Sequence, residues 1–217
     1  MLPFTDSNRT PKAVATLRYR LLGAAQENPA WYTGAEALEF AIDRHHGMTR
    51  ADGVTPYVVH PVEVAQYALT LNLQYPVESV AVALLHDVME DCHVTHRELQ
   101  AVFGAQIADG VAVMSKQVDG GPKKPLEAYF QELAQSPIGS ICKAADRINN
   151  QNTMGGVFSA QKQLRQVDET ERFILPMLKT ARRRFPRQEL AFENAKLVLR
   201  SQVALVRAMH AAPSAEE

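Results

Sequence analysis

Apolar residues recur at helical spacing along almost the whole chain, and strict alternation is nearly absent. That pattern predicts an all-helical fold of about eight to ten helices. Breakers set the boundaries. A first helix is expected from about Pro11 to Gln26 and a second from Ala35 to His46, with Gly47 as its left-handed cap. Met48 to Val59, holding Asp52-Gly53 and Pro56, reads as a loop. Pro61 and Pro76 sit where the first turns of two further helices favour proline, and the second should run to Asp91. Thr95 and Glu98 have the form of a capping box. A long helix from Ala160 to Arg184 should be kinked at Pro176.

No linker-like tract divides the 217 residues, so one domain is expected. Within it, residues 1–34 read as an N-terminal helical extension, 35–187 as the core, and 188–217 as a C-terminal helix packing on the core with a frayed tail from Ala211. The formal net charge is −1, which argues against a stable nucleic-acid partner or an anionic membrane surface. The two cysteines, Cys92 and Cys142, form no CxxC motif and suit a reducing cytoplasm. The first residues lack a basic stretch followed by an apolar one, and no apolar run is long enough to span a bilayer, so a cytoplasmic protein is expected. The oligomeric state is left open, a homo-oligomer included.

Chemistry concentrates in Leu84-Leu85-His86-Asp87-Val88-Met89-Glu90-Asp91. On one helix His86 and Asp87 differ by about 100° and can share an ion at their common edge. Glu90 and Asp91 follow one turn later. Three carboxylates packed this closely repel, and a cation is the simple remedy. The apolar run before His86 makes the helix look buried, where carboxylates need partners. Two more segments stand out. His60 precedes Pro61 at a helix start, and Lys143, Asp146 and Asn150 fall at i, i+3 and i+7 on one helical face. Taken singly, a helix-cap histidine and an intrahelical Lys–Asp pair explain these two.

Together the three segments resemble the hydrolase domain of RelA/SpoT-type enzymes, and more closely the stand-alone small alarmone hydrolases that remove the 3′-pyrophosphate from (p)ppGpp. The resemblance runs from about Ala35 to Arg184. It rests on Gly53 to Pro61, on the Leu-Leu-His-Asp-x-x-Glu-Asp signature, on Phe103-Gly104, on Lys143 to Asn150, and on Glu171 to Leu178 with Pro176. It implies an HD-domain helical bundle. It also implies one divalent ion, usually manganese, held by His60, His86, Asp87 and Asp146. Two imidazoles and two carboxylates suit a first-row transition ion better than calcium.

By the same resemblance, Glu90 and Asp91 are the catalytic acidic pair, while Arg50 and Asn150 contact the nucleotide. Lys143 has two readings, phosphate neutralisation or a structural ion pair. Cys92 stands where the family has threonine, and Asn149-Asn150-Gln151-Asn152 where it more often has His-Asn-Met-Arg. These departures spare the metal ligands and leave the base open, guanine or adenine. Two other readings stand beside this one: an HD phosphohydrolase of another nucleotide phosphoester, and a catalytically silent nucleotide-sensing module. The intact set of acidic, metal and nucleotide residues argues against silence. The remaining histidines, including His45 and His46 at a helix C-terminus, read as surface or helix-end residues.

Overall fold

The computed structural model describes residues 11–211. The sequence-expected tail from Ala211 lies, but for that residue, outside them. The described residues hold twelve α-helical segments and no strand: α1 (Lys12–Glu27), α2 (Tyr32–Arg44), α3 (Val59–Leu69), α4 (Pro76–Leu85), α5 (Val88–Asp91), α6 (His96–Phe103), α7 (Ala105–Met114), α8 (Leu126–Leu133), α9 (Pro137–Thr153), α10 (Ala160–Glu169), α11 (Leu175–Arg184) and α12 (Glu189–Met209). The all-α expectation holds.

Two long helices expected from the sequence are each divided, for local reasons. The first breaks at His86-Asp87, which form a turn between α4 and the single turn α5. There the Ala83 carbonyl, the i−4 acceptor for Asp87 in an unbroken helix, accepts instead from the His86 ring at 2.8 Å. The second is interrupted by a π-helical segment, Thr170–Ile174, between α10 and α11. Pro176 follows in the first turn of α11, where its missing N–H costs little. The capping box is half made. Thr95 accepts from the Glu98 backbone at 3.1 Å, but the Glu98 carboxylate pairs with Arg44 at 2.6 Å.

One apolar core is built mainly from α2, α3, α4, α7 and α9, and α4 is its centre: Val80 to Leu85 are all fully buried. The α1 residues Val14, Leu17 and Leu21 belong to the same core. Burying each stabilises the fold by roughly 1.5–3 kcal/mol relative to exposure. Two glycines let α4, α7 and α9 approach closely. A Cβ on Gly110 would stand 2.6 Å from Val82 Cγ2, and one on Gly139 would stand 2.5 Å from Val113 Cγ1. That closeness brings the end of α4, with His86, against the middle of α9, with Asp146. Among the described residues no helix is long and apolar enough to cross a membrane.

Candidate metal centre

Four side chains from three places meet at one point. His60 stands in the first turn of α3, His86 and Asp87 occupy the break after α4, and Asp146 lies mid-way along α9. Nitrogen or oxygen atoms of His60, His86 and Asp146 all lie within 4.8 Å of one another, and all three residues are buried. Asp87 lies outside that tightest group, but its Oδ2 is 3.1 Å from His86 Nε2 and 3.6 Å from His60 Nε2. The His60 Nε2 atom is 3.2 Å from Asp146 Oδ1.

The outer hydrogen bonds decide what these atoms offer. The Asn149 amide donates to Glu63 Oε2 at 2.7 Å, which leaves its Oδ1 as an acceptor for His60 Nδ1 at 2.6 Å. Likewise His86 Nδ1 donates to the Ala83 carbonyl. Both rings therefore turn Nε2 toward two carboxylates, and a ring without a proton there offers them a lone pair. The His86 Nε2 atom is buried and within 3.1 Å of Asp87, yet it makes no hydrogen bond there. Lone pairs aimed at carboxylates with no donor between them call for positive charge.

Ionisation points the same way. Burial pulls the His86 pKa down, but Asp87 and Asp146 outweigh it and raise it to about 9. Burial opposes ionisation of Asp87 as well, and the two imidazoles hold it below the usual carboxylate range. Asp146 is likewise held well below it against burial, chiefly by the Lys143 ammonium. The donor set, its burial and the orphaned Nε2 all fit a divalent cation.

The sequence-expected substrate residues sit beside this cluster. Arg50 lies on a loop folded back on itself: Arg50 N–H donates to Thr55 O at 2.7 Å, and Tyr57 N–H to Met48 O at 2.9 Å. Asp52 pins the loop by accepting from the Thr55 hydroxyl and the backbone of Val54 and Thr55, which lowers its pKa to about 2. The Arg50 guanidinium donates to Asn150 Oδ1 at 3.3 Å and Thr153 Oγ1 at 3.2 Å. Asn150 in turn donates to Asp146 Oδ1 at 2.5 Å. A polar chain thus joins Arg50 to the cluster. Arg50, Asp52, Tyr57, His60 and Asn150 line a cavity of about 350 Å³, with Val157 and Phe158 as its apolar lining. A larger one, about 530 Å³ beside Tyr75 and Phe103, lies away from the clustered titratable groups.

Lys143 makes the ion pair with Asp146, 2.8 Å from Oδ2, as one of its two readings held. Glu90 and Asp91 are exposed on α5. Glu90 Oε1 accepts the backbone N–H of Lys116 at 2.5 Å, which tethers it to the segment after α7.

Three residues escaped the sequence reading. Asn149 and Glu63 orient His60 from outside, and only the packing of α9 on α3 shows it. The third is His45, read as a helix-end residue whose charge would suit the dipole. It is instead 2% exposed, and burial lowers its pKa from the ordinary imidazole value.

Residues 37–119 match the HD domain family. The chain is 37% identical over 124 residues to the guanosine-3′,5′-bis(diphosphate) 3′-pyrophosphohydrolase of Vibrio cholerae serotype O1, which is 54% of this chain and 17% of that protein. It is 33% identical over 129 residues to the bifunctional (p)ppGpp synthase/hydrolase SpoT of Escherichia coli K12, 56% of this chain and 18% of that one. It is 32% identical over 149 residues to the GTP pyrophosphokinase rsh of Brucella melitensis biotype 1, 65% and 19%. The chain thus spans less than a fifth of the length of these relatives. It carries an HD domain, homologous at moderate identity to the (p)ppGpp 3′-pyrophosphohydrolases of the SpoT/RelA type.

Proposed function

We propose that the chain is a metal-dependent hydrolase that removes the 3′-pyrophosphate from an alarmone nucleotide, (p)ppGpp or its adenine analogue, giving GDP or GTP (or ADP or ATP) and pyrophosphate. The observation that carries the proposal is the adjacency of two things. One is a buried two-histidine, two-carboxylate cluster that calls for a cation. The other is a cavity of nucleotide size joined to it through Arg50, Asn150 and Asp146. The names of the relatives supply the substrate class.

His60, His86, Asp87 and Asp146 would hold the ion, with manganese as the preferred metal. A divalent ion bound there supplies Lewis acidity that lets water ionise near neutral pH. The chain's own groups do the rest. Lys143 and Asn150 hold the Asp146 carboxylate, and Tyr57 holds Asp87 through a 2.8 Å hydrogen bond. Glu90 and Asp91 take the proton of the attacking water and return one to the ribose 3′ oxygen as it leaves. Arg50 offers a planar cation to the base or a phosphate, with the Phe158 wall beside it.

The test offers ppGpp, ppApp and a nucleoside 3′,5′-bisphosphate side by side with manganese, and separates the products by anion exchange. Pyrophosphate with GDP or ADP supports the proposal and names the base. Orthophosphate from the bisphosphate alone assigns the site to another phosphoester. Turnover of none of them, with metal bound, moves the reading to a nucleotide sensor.

A further inference from the structure

We propose that His45 is a positioning residue of the metal centre, acting through Tyr57 on Asp87. The inference rests on reading the four-residue cluster as a metal site. The His45 ring sits in the interior, where its Nδ1 donates to the Ala41 carbonyl at 2.9 Å. That bond leaves Nε2 as a lone pair, buried without a partner among the described residues. An apolar side chain could fill the space without stranding an acceptor. The cost needs a return, and the ring's neighbour supplies one.

Tyr57 lies flat against His45, with ring centroids 4.9 Å apart and planes 18° apart. Tyr57 belongs to the loop between α2 and α3, and functional loop side chains are positioned by the rigid scaffold behind them. His45 is rigid. Its backbone N–H caps α2 on Ala41 O at 3.1 Å, and its ring is bound to the same carbonyl. The imidazole is therefore a plate fixed to α2. Against it, the Tyr57 phenol reaches Asp87 Oδ2 at 2.8 Å. Tyr57 also meets the His60 ring edge-on at 6.1 Å and lies under the Arg50 guanidinium at 5.7 Å. One tyrosine thus touches two of the four cluster residues and the cation of the adjoining cavity. Hydrogen bonds to a ligating carboxylate set which oxygen faces the ion. Removing the plate frees Tyr57, and with it Asp87.

The test titrates metal-stripped protein with manganese alone by calorimetry, with no substrate present. Both His45→Ala and His45→Gln, which lack an aromatic plate, should weaken manganese binding about tenfold, while His45→Phe keeps it within about twofold. Adding His45→Ala to Tyr57→Phe should cost no further affinity, even where the two melting temperatures fall additively. Turnover of the His45 variants should return at saturating manganese. Wild-type affinity in the alanine and glutamine variants overturns the inference. So does a phenylalanine variant as weak as alanine, or a fully additive loss of affinity in the double variant. Wild-type protein that binds no manganese overturns the metal-centre reading itself.

Discussion

His60 Nδ1 donates to Asn149 Oδ1 at 2.6 Å, and that one bond decides which nitrogen of the ring faces the carboxylates. Because Asn149 is itself oriented by Glu63, a chain of three residues turns Nε2 toward Asp146. Asn149→Ala should weaken metal binding about 10–100-fold. Glu63→Gln, one step further out, should cost less. Calorimetric titration with manganese checks both, with far-UV circular dichroism reporting whether the helices persist. Unchanged affinity in Asn149→Ala would show that the tautomer is fixed by something else.

Metal binding should release a proton at neutral pH. Without a cation the His86 ring holds its proton up to about pH 9, and ligation needs a free Nε2. Below that pH the ion must displace the proton, so affinity should rise with pH, by up to about tenfold per unit, and level off above about pH 9. Calorimetry in buffers of different ionisation enthalpy measures the proton count directly. A flat affinity between pH 6.5 and 9 contradicts the assignment of His86 as a ligand.

Glu90→Gln should still bind metal and nucleotide and lose turnover by about 10²–10⁴-fold, the range for a general acid or base. The amide oxygen can keep the hydrogen bond from the Lys116 backbone, so the tether survives while the proton acceptor is lost. Single-turnover kinetics separate binding from chemistry here. A normal rate removes Glu90 from the reaction.

Gly139→Ala should destabilise the fold by about 1–3 kcal/mol. The added methyl would meet Val113 Cγ1 at 2.5 Å, and a β-branched neighbour has little freedom to turn aside. Because α9 carries Asp146, metal affinity should fall with stability. Urea unfolding, with and without manganese, measures both effects.

What the sequence showed depended on distance along the chain. His86 and Asp87 with Glu90 and Asp91, and Lys143 with Asp146 and Asn150, lie within a turn or two of each other, so helical spacing alone predicted shared faces. The Lys143–Asp146–Asn150 contacts follow that spacing directly. The break at His86 was not visible, because it arises where a side chain takes up a backbone acceptor. The burial of His45 was hidden for another reason. A histidine at a helix end reads the same whether it faces water or a packed tyrosine, and only the return of the loop at Tyr57 distinguishes them. Asn149 makes its contacts to residues more than eighty positions away, which no local pattern encodes.

The most direct test of the account is pyrophosphate release from ppGpp by metal-stripped protein, before and after manganese is added back, for the wild type and Asp146→Asn. The account predicts no release without metal, release on add-back in the wild type, and none in Asp146→Asn, whose neutral amide keeps the shape of the side chain but not its charge. Equal release by the stripped and reloaded wild type, or wild-type rates in Asp146→Asn, would contradict it.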